Sequence, residues 1–354
     1  MSGVFDHPWL GGLFADDAAG VIWSPERQLA HMLSFEAAYS RALGAVGVVE
    51  TAKADKAAKL IAGFDVDIAN LRVGTARDGL PVPALVAQLR AGAAPDLSDA
   101  IHKGTTSQDV MDTALALTIK DMNALLSTRL KALDGGLGRL IETFGTQPLM
   151  GRTRMQAAMP ITVADRIATW QTPLHDHLAR LAQMRPRVER LQLGGAAGDR
   201  QEMAGKGADM ARMIADDLGL YCPDRPWHAM RDGLADYGGL LSLITGTLGK
   251  MGQDIALMAQ QGVGEITLAG GGGSSAMPHK QNPILAELLV TLARFNATQV
   301  AGLHHTMVHE QERSGAAWAL EWMILPQMAL ATARSLAVAL TVCDQITAMG
   351  GPSQ

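Results

Sequence analysis

The chain is short of cysteine, of aromatic side chains and of charge. Cys222 and Cys343 are its two cysteines, far apart in 354 residues and too few for a disulfide framework, which points to a reducing cytoplasm. Aromatic residues make up 4% of the chain and charged residues 18%. Strand-favouring β-branched and aromatic residues are sparse, whereas the helix formers Ala, Leu and Met are plentiful, so composition tilts toward an all-α protein. A net charge of −5 and a pI of about 6.1, with no basic stripe, exclude a nucleic-acid partner from the expectations. The first twenty residues carry no Lys or Arg and do not read as a signal or transit peptide. No apolar run is expected to reach the length of a membrane span, so no membrane partner is expected either.

Cofactor motifs are missing as well. No GxxxxGK[ST] stretch offers a phosphate cradle. Gly194-Gly195-Ala196-Ala197-Gly198 follows a helical pattern and not a strand, which removes a dinucleotide-binding reading. His305 and His309 lie one helical turn apart, but no third His or Cys completes a zinc site, and His309-Glu310-Gln311-Glu312-Arg313 lacks the second His of HExxH. Neither a metal nor a cofactor is expected.

What is present is mostly helix. Hydrophobic residues reach 48% and mean hydropathy is +0.09, high for a protein whose interior must be filled largely by Ala, Leu, Met and Gly. Ser24-Pro25-Glu26 is a helix start, a capping hydroxyl followed by Pro at the first helical position and an acid. Short helical pieces with Gly and Pro breaks follow to about Pro95, and residues 1–100 read as a small N-terminal helical domain. From Ser107 to Phe144 apolar residues keep three- or four-residue spacing, far beyond the usual helix length. Further helical patterns cover 162–192, 201–218, 232–261, 283–307 and 315–348, with Pro173, Pro186 and Pro326 as expected kinks or interruptions. Residues 101–354 thus read as a central long-helix bundle. Several segments are apolar or small on more than one face, and Gly238, Gly239, Gly246, Gly249 and Gly252 would let helix backbones approach closely. One chain offers too few neighbours for such helices, so a homo-oligomer is expected.

The richest chemistry lies at Gly270–Pro283, GGGGSSAMPHKQNP. Four glycines continue a helix only at a cost, so a loop is expected. It carries two hydroxyls, Ser274 and Ser275, then Lys280 and Asn282 just before a helix start, a setting that suits a carboxylate. His102-Lys103-Gly104-Thr105-Thr106-Ser107-Gln108-Asp109 reads by itself as a helix N-cap, and Gly151–Thr162, GRTRMQAAMPIT, as a polar loop between helices.

Together the three stretches resemble the signature regions of the fumarase/aspartase (argininosuccinate lyase) superfamily, in its order and spacing. GSSAMPHKQNP matches GSSxMPxKxNP, HKGTTSQD looks like HxGxTSxD, and GRTRMQAAMPIT looks like GRTHxQxAxPxT. The resemblance implies an all-α homotetramer in which the three regions, from three subunits, meet in one site. It implies that Ser274 handles the carbon-bound proton, and that Thr106, Ser107, Gln156, Lys280 and Asn282 bind substrate carboxylates. His102 is implied as a catalytic candidate that orients substrate or assists proton transfer, with a capping role as its alternative. The third, C-terminal helical domain of many relatives is not found in this sequence.

One departure is informative. Most of these lyases have Thr-His in the second region, and here Arg154 stands in place of the His. Arginine is a poor acid but a good carboxylate clamp. A carboxylate leaving group, with a conjugate-acid pKa of about 4, needs no proton to depart. The site therefore looks suited to carboxylate addition or elimination. HEQERSGAAWALEWMILPQ (309–327) is similar to the HERxxGAWxxEWxxLP region of bacterial 3-carboxy-cis,cis-muconate cycloisomerases, and the N-terminal segment has that branch's look. That likeness implies lactonization of a tricarboxylate in protocatechuate breakdown, with Arg154, Lys280 and Arg313 supplying positive charge and Lys103 a further candidate. An adenylosuccinate- or argininosuccinate-type lyase and a non-catalytic structural relative are the alternatives. An intact Ser274, Lys280 and Asn282 argues against the last.

Overall fold

The computed structural model describes residues 3–270, 272–273 and 282–351. Its first part sets short helices around the longer α3: α1 (Gly11–Phe14), α2 (Asp17–Ile22), α3 (Pro25–Ala45), α4 (Thr51–Ala62), α5 (Ile68–Asp78) and α6 (Val82–Gly92). The Ser24 hydroxyl accepts from Arg27 N at 3.1 Å and caps α3 as the Ser-Pro-Glu signal requires. Gly79, at φ +78°, ends α5 in the left-handed conformation that glycine adopts without strain.

The second part is built from long helices, with the short α9 among them: α7 (Ser107–Phe144), α8 (Val163–Val188), α9 (Gly207–Leu218), α10 (Asp232–Met258), α11 (Ile284–His305) and α12 (Ala316–Gln345). Helices α8 and α12 run through Pro173, Pro186 and Pro326, which do not interrupt them. One large core joins Leu126, Leu130, Leu133 and Leu137 of α7 to Trp170 of α8, Leu241 and Leu248 of α10, Leu289 of α11 and Met328 and Leu336 of α12. Burial of each such side chain is worth roughly 1.5–3 kcal/mol, and they stabilise the bundle far more than helix propensity alone. A second cluster sets Phe35, Tyr39 and Leu43 of α3 against Met210 and Ile214 of α9, so α9 packs on the N-terminal helices.

Glycine decides how closely α10 and α11 approach. A Cβ on Gly249 would lie 2.5 Å from Cβ of Ala293, and one on Gly252 would lie 2.7 Å from Cβ of Leu289. Either would force the helices apart. Gly239 and Gly246 meet nothing within 4 Å, so they leave open ground on the outer side of α10.

Two small sheets complete the described residues. Strands β1 (Pro148–Thr153) and β2 (Gln156–Thr162) form an antiparallel hairpin, with Pro148 opposite Thr162 and Thr153 opposite Gln156. This corrects the expectation of a polar loop there. Pro148, Gly151 and Pro160 hide the strands, and the ladder between the two segments decides the conformation. Strand β3 (Ile266–Leu268) pairs antiparallel with β4 (Ile346–Met349), so α12 stops at Gln345.

One more expectation is corrected. By length and composition α11 and α12 are apolar enough to cross a membrane, with mean window hydropathies of 1.2 and 1.4. The α12 window is 61% buried inside the bundle, as a core helix should be, whereas the α11 window is only 28% buried. The exposed positions of α11 are largely small or polar, Glu287, Thr291 and Arg294 among them, with Ile284 its one exposed large apolar side chain.

Candidate active site

The start of α7 is the most elaborately built place in the molecule. Asp109, fully buried, reaches back to accept from Thr106 N at 3.2 Å and from the Thr105 hydroxyl at 2.9 Å. It also accepts from Gly194 N at 2.8 Å and Gly195 N at 2.9 Å, and its Oδ1 lies 2.7 Å from Nε2 of His228. Five donors around one carboxylate fix the TTSQD turn and the 194–198 loop in one arrangement. The loop rejected above as a nucleotide cradle thus serves to hold this turn. Gly195 has φ +71°, and a Cβ there would sit 3.0 Å from the carbonyl oxygen of Gly104. Thr106 and Ser107 are half-buried at the positive end of the α7 dipole, where an anion is favoured.

His102 belongs to the same turn. Its φ is +54°, an uncommon conformation for a non-glycine residue. Its Nδ1 lies 2.5 Å from Oε1 of Glu36, a fully buried carboxylate of α3. The backbone carbonyl of the next residue, Lys103, accepts from the Tyr39 hydroxyl at 2.5 Å. Arg313 arrives from beyond α11. Its Nε donates to Gln108 Oε1 at 2.9 Å and its Nη2 to the Ala196 carbonyl at 3.1 Å. The structure therefore brings His102, Thr106, Ser107 and Arg313 together around one turn, with part of Arg313's donor capacity already used.

Beneath this turn lies a buried ion cluster that the sequence reading did not single out. Arg231, fully buried, donates to Asp112 at 2.6 and 3.0 Å and to Glu321 at 2.8 and 2.5 Å, and stacks 4.6 Å from the Trp227 ring centre. Asp112 also accepts from Gln108, Gln192 and Trp318. One guanidinium cannot neutralise two buried carboxylates. Burial works to raise Asp112, but Arg231 and the extra donors hold it below the usual carboxylate range. Glu321, with fewer donors, is pushed up to about 7 by burial. His309, 3.9 Å from Glu321 and lowered by burial and by Arg231, is the neutral neighbour of this cluster.

The other predicted residues stand elsewhere. Arg154 and Met155 form the tip of the β1–β2 hairpin with φ +50° and +67°, a two-residue turn of the mirror-image kind that normally asks for Asn-Gly. Positive φ at two consecutive side-chain-bearing residues is a mark of functional sites. Arg154 and Gln156 are exposed. Around the tip lie Arg152, Arg166, Lys250, Asp254 and Glu265. Arg152 pairs with Glu265 at 2.5 Å and Lys250 pairs with Asp254. Arg154 and Arg166 have no ion-pair partner among the described residues. Asn282 exchanges backbone hydrogen bonds with Gly272 at 2.9 and 3.0 Å, immediately before α11. Ser274 and Lys280, with Ser275, lie outside the described residues.

The two groups sit at opposite ends of the bundle. Helix α7 has 38 residues, roughly 57 Å at about 1.5 Å per residue, with His102 before its start and the hairpin after its end. The C-terminal end of α10 and strands β3 and β4 share the hairpin end: Glu265 pairs with Arg152, and Gly351 N donates to the Pro148 carbonyl at 3.0 Å. Within one copy, Arg154 and His102 cannot serve one small substrate.

Comparison with known proteins shows the family and the fold. A family model described as Lyase matches residues 15–302. A 3-carboxy-cis,cis-muconate cycloisomerase of Pseudomonas aeruginosa is 36% identical over 330 residues, which are 91% of this chain and 72% of that protein. An N-acetyl-S-(2-succino)cysteine lyase of Enterococcus italicus is 32% identical over 348 residues, 97% of this chain and 76% of that protein. The crystal structure of 3-carboxy-cis,cis-muconate lactonizing enzyme from Pseudomonas putida superposes with a TM-score of 0.89 at 32% identity, covering 97% of this chain and 77% of that one.

Proposed function

The chain belongs to the lyase family of the fumarase/aspartase superfamily, and on that premise we propose that it closes 3-carboxy-cis,cis-muconate to 4-carboxymuconolactone. The observation that carries this reading is Arg154, a permanent cation without an ion-pair partner among the described residues, held at a strained hairpin tip where most relatives have His. Such a group clamps a carboxylate and donates no proton. In the lactonizing direction one substrate carboxylate oxygen forms the new C–O bond. The displaced π electrons move onto the neighbouring carbon and into its carboxylate. Thr106, Ser107, Lys280 and Asn282 hold that charge, and Ser274 returns a proton to the carbon. Ser274 acts in this way when water is excluded around it.

The separation of the two ends along α7 supports a site assembled from several copies, with a homotetramer as the proposed state. The open α11 face and the unfilled ground beside Gly239 and Gly246 support the same assembly. A cofactor-free enzyme of the cytoplasm is part of the proposal, and activity is expected to survive exhaustive EDTA treatment.

A second reading, a lyase that releases fumarate from a substituted succinate, is favoured by the similarity to the succino-cysteine lyase. Loss of diene absorbance on 3-carboxymuconate, measured beside fumarate release from succino compounds, tests the two. Fumarate release without diene loss would overturn the cycloisomerase reading.

A further inference from the structure

Glu36 is a carboxylate in an otherwise apolar stretch of α3, between Phe35 and Ala37, and it is fully buried. Such a group is costly to bury unless it is paired. Its Oε1 meets Nδ1 of His102 at 2.5 Å, and its Oε2 has no hydrogen-bond partner among the described residues. The imidazole is thus the one side chain this carboxylate holds there. The turn that carries His102 is tied to α3 twice more: Tyr39 donates to the Lys103 carbonyl, and the Ser40 hydroxyl donates to the Ala100 carbonyl at 2.6 Å. These three contacts from one face of α3 hold His102 at its positive φ.

We propose that Glu36 is a positioning residue, whose buried carboxylate accepts Nδ1–H of His102 and so fixes the imidazole with Nε2 as its free, lone-pair nitrogen. The proposal rests on the catalytic role given to His102 in the reading above. The two ring nitrogens lie on opposite sides of the imidazole, so a ring anchored through Nδ1 turns Nε2 away from α3. Among the described residues Nε2 has no hydrogen-bond partner, and it is not among the buried unpartnered atoms. The hydrogen bond at one nitrogen sets the tautomer and thereby what the other can do: here Nε2 accepts a proton or a hydrogen bond from substrate or water. A carboxylate that holds an imidazole in one tautomer is worth far more to turnover than to substrate binding.

Two measurements test the assignment, one independent of any substrate. Long-range 1H–15N spectra of protein labelled with 15N-histidine, with the His102 signals identified by their loss in His102→Gln, should show neutral His102 protonated on Nδ1. An Nε2–H tautomer in the unmodified protein would overturn the proposal while leaving the cycloisomerase reading untouched. In turnover of 3-carboxymuconate, Glu36→Gln should lower kcat by about tenfold to a hundredfold with KM nearly unchanged. Glu36→Asp, which keeps the charge, should recover part of it. Combined with His102→Gln, Glu36→Gln should cost nothing further, because its effect passes through the imidazole. Additive losses, or wild-type kcat in a folded Glu36→Gln enzyme, would also overturn it. No diene loss from wild type would end the cycloisomerase reading and leave the tautomer assignment to the spectra.

Discussion

The two ends of α7 are finished to different degrees. At its start, His102, Thr106, Ser107 and Arg313 stand on a turn whose polar groups are tied together inside one chain, by Asp109 above and by the Asp112–Arg231–Glu321 cluster below. At the far end, Arg154 and Gln156 ride on an exposed two-stranded hairpin, and the cations around Arg154 are only half neutralised by Asp254 and Glu265. A buried polar network whose groups each meet several partners, as Asp109 and Asp112 do, strongly restricts its own geometry. The guanidinium of Arg154, exposed at a strained turn, has no ion-pair partner among the described residues. The contrast is between an end whose polar groups are held within one chain and an end whose guanidinium is left exposed, as the proposal of a site shared between copies requires.

Breaking that comparison starts with the largest effect. Ser274→Ala is expected to lower kcat by at least about a hundredfold, with a smaller change in KM. If Ser275→Ala is the damaging change and Ser274→Ala is not, the hydroxyl is wrongly assigned. Complementation then separates the ends. Mixed oligomers of inactive His102→Ala and inactive Arg154→Ala chains should regain activity, because some sites combine an intact start of α7 with an intact hairpin from a neighbour. Mixed assemblies as inactive as their parents would mean that the halves do not meet across copies.

Next comes the clamp. Arg154→Lys keeps the charge and loses the fork, so it should retain part of kcat/KM. Arg154→His should be much worse at pH 8, where imidazole is mostly neutral, and should improve as pH falls toward 6. An Arg154→His enzyme equal to wild type at pH 8 would refute the clamp and the chemical case for lactonization.

Stability should distinguish the ends in the reverse sense. Arg231→Met strands two buried carboxylates and should cost about 3–5 kcal/mol in urea unfolding, whereas Arg154→Met, at an exposed tip, should stay within about 0.5 kcal/mol. Equal effects would erase the contrast.

The smallest effect is a pH slope. Glu321, raised to about 7 by burial, keeps in the folded state a proton that the unfolded chain has released above its ordinary 4.5. Its contribution is therefore complete below that ordinary value and is lost as pH rises through 7. The size is on the order of 1–3 kcal/mol. Glu321→Gln, which mimics the protonated form, should unfold with a flatter pH dependence between pH 5 and 7.5. An unchanged slope would mean that Arg231 keeps Glu321 ionised.

Legibility followed sequence locality. Helix α7 was readable because its apolar spacing is unbroken, and α3 because Ser24-Pro25 caps it. Gly238, Gly249 and Gly252 were readable as close-approach positions, and each does meet a neighbouring helix. The β1–β2 hairpin was not readable, since Arg154-Met155 is not the Asn-Gly that announces such a turn and Pro148 and Pro160 disguise its strands. Glu36 was hidden for a different reason: an acid in a helix ordinarily faces water, and nothing local says that this one meets a histidine 66 positions away. His228 and Arg231 gave no signal, because what defines them is a partner on another helix.

The sequence by itself determined the helical class, the long bundle and the three signature regions, because periodicity, caps and motif spacing are properties of neighbours along the chain. Only the tertiary structure decided that α9 packs on α3, that Glu36 holds His102, that Arg231 joins Asp112 to Glu321, and that Arg154 lies a helix length from His102. Each of these depends on which faces meet when roughly 1.5–3 kcal/mol per buried apolar side chain draws distant helices together, and on which polar groups must then find partners out of water.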